Sequence, residues 1–512
     1  MDGSYLKRSE IFICINFIFF TFFNLEKAER LLKRIEELEH ITPDSRTYTK
    51  VIQTWSRASK FHEDAPERAI SLLRRIEEAY HHSFHSVKPN VFIYTAVIEA
   101  CANAGEATKA VELFDELEAL YEASNHNDID LKPTVRTFNA VLNAWGNISQ
   151  SNADAAHHAE AILYRMSKLY YKKGIECVKP NRVNYNTCID AWAKAGSARK
   201  AEKLLQKMEQ LYEETGDEEL KPSVRDFNTV LDAYAKSIDA VEPGDAAKQA
   251  ERLIRQMEQL SECDDCGIIG KNTDVKPNTR SYNSLINAYA KCNTDPEASQ
   301  KAESVLLRME TKYKSTLTLG KGDVTVRPDF YSFATVIHAI ARSNQRKKAE
   351  KAYQILCDMN EKHSSGENVY AQPNVIIYNA VLNACAFSSN DDEDTQQRAM
   401  EIAHQTFKEL RQNPNIDPDE VSYGTFIKAC ANLMPHGSTV RDTVVEALFR
   451  KCCEDGLVGE MVIRQMYVAC SNKDVYMKLM GYLDPQNKFL SVKDMPKKWT
   501  RNIQRGIEKR KR

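Results

Sequence analysis

A proline followed five residues later by tyrosine or phenylalanine occurs nine times in this chain, and nothing else restricts its fold as strongly. The pairs are Pro43/Tyr48, Pro89/Tyr94, Pro133/Phe138, Pro180/Tyr185, Pro222/Phe227, Pro277/Tyr282, Pro328/Phe333, Pro373/Tyr378 and Pro418/Tyr423. They use more than half of the 16 prolines, at intervals of 42 to 55 residues, so the chain reads as a tandem array. Each aromatic opens a helical stripe; after Tyr185 the apolar positions are Cys188, Ile189, Ala191, Trp192 and Ala195. Within the stripe a small residue precedes a larger one, as in Ala144–Trp145, Ala191–Trp192 and Ala288–Tyr289. The small residue lets a second helix approach and the large one fills the remaining space.

A second helix follows each stripe. Its pattern is Ala201/Leu204/Leu205/Met208, repeated at Ala250/Leu253/Ile254/Met257, Ala302/Val305/Leu306/Met309 and Ala352/Ile355/Leu356/Met359. Further copies start at Ala28, Ala69, Ala110, Ala159 and Ala399, and all describe one apolar helix face. The opposite face is rich in Glu, Lys and Arg and is expected to be solvated. The connections, such as YEASNHNDIDLKP, vary in length and are polar, as surface loops are. One such hairpin cannot bury its apolar face alone, but stacked neighbours can. The expected fold is therefore all-α, an α-solenoid (superhelix) of stacked helix-turn-helix repeats over 25–450. An apolar segment precedes it at 1–24, and a helical cap with a basic tail follows at 451–512.

Composition narrows the function classes. Lys plus Arg number 70 against 72 Asp plus Glu, a formal net charge of −2, so any basic surface must be local. The 13 cysteines are spread thinly, several within apolar stripes (Cys101, Cys188, Cys385 and Cys430), which suits reduced core residues. The run IFICINFIFFTFF at 11–23 is short for a membrane span and is not an Arg-rich presequence. It reads as an incorrect or truncated start, a targeting signal, or an anchor. Stable membrane association is not expected.

The unit Pro-X, then Tyr-Asn, a helix ending Ala-Lys-Ala-Gly and a second helix reading A-x-x-L-L-x-x-M resembles the pentatricopeptide repeat, most closely at residues 182–208. The units here are longer than that family's usual one of about 35 residues, the excess lying in the second helix, the connections and some turns. The resemblance implies single-stranded RNA as partner, with one repeat per nucleotide. The rival is a tetratricopeptide-like scaffold for proteins, whose early Leu-Gly and late proline are not the pattern here.

Under this resemblance the residue after each aromatic reads a base: Thr49, Thr95, Asn139, Asn186, Asn228, Asn283 and Asn379, with Ala334 and Gly424 breaking the series. Amides and hydroxyls carry the required donors and acceptors. A helix-start role is the bland alternative for any one of them. The second reader is the residue after the next proline: Asn90, Thr134, Asn181, Ser223, Asn278, Asp329, Asn374 and Asp419. The family's pairing of Asn with Asp implies uracil, Asn with Ser cytosine, Asn with Asn either pyrimidine, and Thr with Asn adenine. In chain order the array would read A, unassigned, pyrimidine, C, pyrimidine, U, unassigned, U. Two residues before the aromatic lies a base-sandwiching position, which holds Arg46, Phe92, Arg136, Val183, Arg225, Arg280, Tyr331, Ile376 and Val421; guanidinium planes and rings stack on bases. The arginines there have helix acids as alternative partners. Nine residues past the aromatic, Arg57, Lys194, Lys236, Lys291 and Arg342 form a candidate phosphate track.

No catalytic module is recognisable, and neither a cofactor nor a metal site is expected. Cys263 and Cys266 form a lone C-x-x-C without a second pair at zinc spacing. The acidic run Asp391–Asp394 falls between helices, and no deaminase signature or phosphate-binding glycine loop occurs. In the basic tail KKWTRNIQRGIEKRKR, Trp499 is a candidate for stacking on RNA. The resemblance also implies a mitochondrial or plastid location, a role in RNA processing, stability or translation, and recruited RNA-processing proteins.

Overall fold

A computed structural model of the chain describes residues 25–36, 43–82, 87–236, 245–261, 272–292, 295–318, 324–470, 473–480 and 491–503. The apolar segment at 1–24, Cys263 and Cys266 lie outside the described residues, as does the tail from 504. The chain is an all-α repeat solenoid. Helix α1 spans Leu25–Glu36 and is followed by helix pairs. These are α2 and α3 (Ser45–Ala58, Ala65–His82), α4 and α5 (Val91–Ala104, Ala107–Ala123), α6 and α7 (Val135–Ile148, Ala155–Lys173), and α8 and α9 (Arg182–Lys194, Ala198–Thr215). Then come α10 and α11 (Val224–Lys236, Asp245–Ser261), α12 and α13 (Thr279–Lys291, Ala298–Thr318), α14 and α15 (Phe330–Arg342, Lys348–Ser364), α16 and α17 (Val375–Ala386, Glu393–Gln412), and α18 and α19 (Glu420–Leu433, Thr439–Asp455). Helices α20 (Glu460–Ala469), α21 (Lys473–Met480) and α22 (Lys497–Thr500) complete the chain. Two compact units are formed, residues 1–233 and 234–512.

Each even-numbered helix from α2 to α18 begins at the proline–aromatic signature, for a local reason. The residue after the proline is the N-cap: Asp44, Asn90, Asn181, Asn278, Asp329, Asn374 and Asp419 hold extended backbone and accept from amide groups of the first turn. Proline favours that extended geometry before the helix, and each cap is worth about 1 kcal/mol. The aromatic one turn in is buried in every copy, as are the large residues Trp55, Trp145, Trp192, Tyr234, Tyr289 and Ile340. On the second helix the predicted stripe is the buried one: Ala201, Leu204, Leu205 and Met208 are all in the core. Even-numbered helices stack on one another and on the odd-numbered helices beside them: α2 on α4 and α4 on α6 in the first unit, α12 on α14, α14 on α16 and α16 on α18 in the second.

The extra length of each repeat sits where it does not disturb this stacking. Odd-numbered helices run to 19 residues in α7, 21 in α13 and 20 in α17, against 14 in α2 and 12 in α16. The variable connections converge on one ending. A short 3₁₀ turn delivers a buried aliphatic residue two places before the proline: Leu131, Val178, Leu220, Val275 and Val326. The residue between is basic and reaches the next connection, as in Lys88 with Asp128 (2.6 Å) and Lys179 with Asp217 (2.7 Å).

The charged face of the odd-numbered helices corrects the expectation of a merely solvated surface. Successive odd helices are cross-linked by ion pairs: Arg68–Glu29 (3.5 Å), Arg75–Glu36 (3.0 Å), Arg74–Glu116 (2.5 Å), Lys312–Glu258 (2.9 Å) and Lys362–Glu310 (2.5 Å), with Arg165 held by Asp115 and Glu118. Exposed pairs contribute only about 0.2–1 kcal/mol each. Their number and regular placement nevertheless make them part of the repeat-to-repeat contact. Two of the same carboxylates accept from buried tyrosines, Tyr48 Oη donating to Glu36 (2.7 Å) and Tyr282 Oη to Glu258 (2.6 Å), while Tyr94 Oη donates to Glu77.

The described cysteines are free thiols, with Cys101, Cys188, Cys385 and Cys430 buried. Burial pushes the thiols of Cys101 and Cys430 up to about 12 and raises those of Cys188 and Cys385 as well. A neutral, inaccessible thiol does not alkylate. Iodoacetamide at pH 8 is therefore expected to modify the exposed Cys357 well before these four, and all five equally in denaturant; peptide mass mapping over time reads the order. No helix among the described residues is long and apolar enough to cross a membrane.

Candidate nucleic-acid interface

Two predicted reader positions meet at the N-terminal ends of successive even-numbered helices. The first readers lie in the second turn. Asn139 and Asn186 are half-buried, whereas Thr95, Asn228 and Asn283 retain only 3%, 4% and 7% of their exposure. Thr49 is half-buried, and its hydroxyl donates to Ser45 O at 2.7 Å. The second readers Asn90, Asn181, Asn278, Asp329 and Asp419 are the N-caps themselves, so their side chains already serve the helix. Thr134 and Ser223 stand at the same place. The Thr134 and Thr137 hydroxyls lie 3.3 Å apart, and the Ser223 hydroxyl donates to Asp226 at 3.0 Å.

The structure couples a first reader to the following repeat by direct hydrogen bonds. Asn283 Nδ2 donates to Asp329 Oδ1 (3.3 Å), and Asn379 Nδ2 to Asp419 Oδ1 (3.1 Å). These are the same pairs that the resemblance couples across repeats. In the first unit the partner is instead the third residue of the next helix: the hydroxyls of Thr95 and Thr137 lie 2.9 Å apart, and Asn184 Nδ2 donates to Asn139 Oδ1 at 2.5 Å. Sequence reasoning missed this third position. Thr137, Asn184, Asp226, Ser281, Ser332 and Ser422 occupy it, and every one is fully buried.

The sandwiching position projects outward. Phe92 is 63% exposed, Val183 55% and Tyr331 48%, and Arg225 and Arg280 are also exposed. Arg136 is exposed as well, and its guanidinium pairs with Glu99 of α4, Nε to Oε1 at 3.0 Å. The acid comes from an even-numbered helix, not from the odd-numbered row.

Nine residues past the aromatic, Lys236 and Lys291 are exposed at the ends of α10 and α12. Lys194 is drawn back. Its ammonium donates to Gly146 O of the previous even helix (3.2 Å) and pairs with Asp190 (2.7 Å). The copies without a basic residue explain why. Asn103 donates to Ser56 O (3.0 Å), Asn147 to Ala102 O (2.8 Å) and Asn432 to Ala386 O (2.8 Å). The position is a clamp between repeats, which an amide fills as well as an ammonium. The signal was the residue before it, small in all nine copies, which leaves the carbonyl of its own helix open to the next repeat.

The far end of the second unit continues the stacking without the signature. Helix α20 packs on α18 as a further even-numbered helix would, without proline or aromatic to announce it. A Cβ on Gly424 would come within 2.8 Å of Met461, so the reader position there is closed by a side chain of α20. Glu420 accepts from Met461 N at 3.2 Å and so caps α20. Trp499 is half-buried. It packs edge-on against Phe449 at 5.7 Å, and its carbonyl accepts from Val458 N. The acidic run at 391–394 begins α17, where Asp392 accepts from Thr395 N at 3.0 Å. Among the described residues no group of His, Cys, Asp or Glu could hold a metal ion.

Family models agree with this periodicity. A pentatricopeptide repeat domain model matches residues 83–148 and 323–387, and two PPR repeat models match 176–209 and 280–298. The segment 176–209 runs from the 3₁₀ turn through α8 into α9, one connection-and-pair unit of the array.

The chain carries pentatricopeptide repeats.

Similar solved structures include the pentatricopeptide repeat protein PPR10 in complex with an 18-nt PSAJ RNA element, at 17% identity and a TM-score of 0.31, covering 94% of this chain and 74% of that one. PPR10 from maize matches at 17% identity and a TM-score of 0.24, covering 95% and 80%. Comparison with the curated proteins finds no match. These pentatricopeptide repeats have polar side chains grouped at one end of the even-numbered helices and a clamp at the other.

Proposed function

We propose that the protein binds single-stranded RNA selectively, one repeat per nucleotide, and acts sterically in organellar RNA processing, stability or translation. The observation that supports this is the coupling of Asn283 with Asp329 and of Asn379 with Asp419. In both pairs the asparagine Oδ1 is buried and has no partner among the described residues. An oriented, unsatisfied acceptor costs stability, and since both oxygens are covered, a base would complete them only as the asparagine side chain turns outward. Uracil N3–H is a donor of the right kind, in keeping with the uracil that the family pairing implies. Exposed Phe92, Val183 and Tyr331 would flank bases, and Arg225 and Arg280 would stack on them.

The acidic balance of the chain keeps the phosphate contribution small. With Lys194 diverted to Asp190, the candidates are Arg57, Lys236, Lys291 and Arg342. Filter binding against a randomised single-stranded RNA pool should show log Kd changing with log salt at a slope of roughly 3 in magnitude, about 0.7 per ion. Duplex RNA of the same length should bind far more weakly. Equal retention of duplex and single strand, or no retention at any salt, would reject the reading.

A further inference from the structure

Which base a repeat accepts depends on which end of its asparagine faces the RNA, and the buried neighbour decides that. Asn184, the third residue of α8, has no exposed surface. Its Oδ1 accepts the backbone N–H of Asn181 at 2.8 Å. A backbone N–H only donates, so the atom facing it must be the amide oxygen, and Nδ2 must lie at the other end of that side chain. That nitrogen points at Asn139, 2.5 Å away. Asn139 must therefore turn its oxygen inward and leave its own Nδ2 hydrogens for a ligand. At Asn283 and Asn379 the logic runs the other way. The carboxylates of Asp329 and Asp419 can only accept, so they draw the asparagine nitrogen inward and leave the oxygen.

Resting on the RNA reading above, we propose that Asn184 is a specificity-determining residue: by orienting Asn139 as a donor, it sets the third repeat to select cytosine over uracil. The two pyrimidines differ at the centre of their pairing edge. Cytosine N3 carries a lone pair, and uracil N3 carries a hydrogen. A donor meets the first productively and opposes the second, leaving two donors face to face without a partner. Asn139 with its cap-position partner Asn181 leaves either pyrimidine open; Asn184 closes that choice. The residue acts through Asn139 and does not touch the base.

The test is selection of a randomised single-stranded RNA pool on the full-length protein, followed by sequencing. The nucleotide facing the third repeat is the one whose preference disappears in Asn139→Ala. There the wild type should favour cytosine over uracil by about fivefold or more. Asn184→Asp should reverse that ratio, because a carboxylate accepts Asn139 Nδ2 and turns the amide over, while preferences elsewhere stay as they were. Asp226 fills the same buried position in α10, so this kind of helix accommodates the change. Should Asn184→Asp fail to melt cooperatively, Asn184→Thr, matching Thr137 in α6, should bring the ratio close to one. Retained binding with an unshifted cytosine preference in the folded variant, or a uracil preference in the wild type, overturns the assignment alone. No RNA retained by the wild type overturns the proposed function and this assignment together.

Discussion

Replacing Asn186, Asn228 and Asn283 together by alanine is expected to weaken binding to a selected RNA by about a hundredfold or more. Each substitution removes one oriented amide that a base edge would engage. A hydrogen bond of this kind contributes about 1 kcal/mol, more where its loss strands a buried partner. Three independent losses of about 1–2 kcal/mol amount to roughly 3–6 kcal/mol. Asn228 and Asn283 are buried, so part of the effect must be separated from folding. Removing Asn283 also deprives Asp329 of a donor. The measurement is therefore fluorescence anisotropy titration beside a thermal melt. Loss of affinity with a retained cooperative melt supports base reading by these amides. A Kd within about threefold of wild type means that these side chains do not read RNA.

Trp192→Ala is expected to destabilise the first unit by about 3–5 kcal/mol, the range for emptying a buried indole site. Trp192 is 2% exposed and is held on several sides. Its Nε1 donates to Glu160 Oε2 of α7 at 2.9 Å, and His157 meets the ring edge-on at 4.5 Å. The ammonium of Lys200, in α9, lies 4.0 Å above the ring. One side chain thus ties α7, α8 and α9 together. In an array each repeat contacts only its neighbours, so the damage should be local. Hydrogen exchange should quicken first in those three helices, with a lowered denaturant midpoint for the unit. A change under about 1 kcal/mol would show that neighbouring repeats, not this ring, carry the contact.

The nine even-numbered helices from α2 to α18 were legible because one short signature holds their whole start. Proline sets extended backbone, the cap follows, and the aromatic enters the core one turn later. The same economy obscured the chemistry. Asn181 and Asp329 were read for their bearing on RNA, yet each also closes the first turn of its own helix, and nothing in residue type separates the two duties. Asn103, Asn147 and Asn432 looked like gaps in a basic track. At these three copies and at Lys194 the clamp uses reach and an N–H donor, which charge alone does not report. Helix α20 falls in the expected helical cap, but its start was not legible because Glu420 supplies from another helix the cap that its own Gly459 lacks. Trp499 shows the same overlap of duties: an aromatic among basic residues suggests a stacking surface, and its edge-on contact with Phe449 also gives the half-buried ring a packing role.

Two kinds of bond between repeats respond differently to salt. Asn103, Asn147 and Asn432 join even-numbered helices through amide-to-carbonyl bonds that dissolved ions barely affect, while Arg75–Glu36 and Lys312–Glu258 join odd-numbered ones through pairs that ions screen. Electrolyte should therefore slacken one row and spare the other. Within either unit the protein would behave as a hinge strip with a fixed seam on one edge and an adjustable seam on the other, its give tuned by the surrounding medium rather than by any change in sequence.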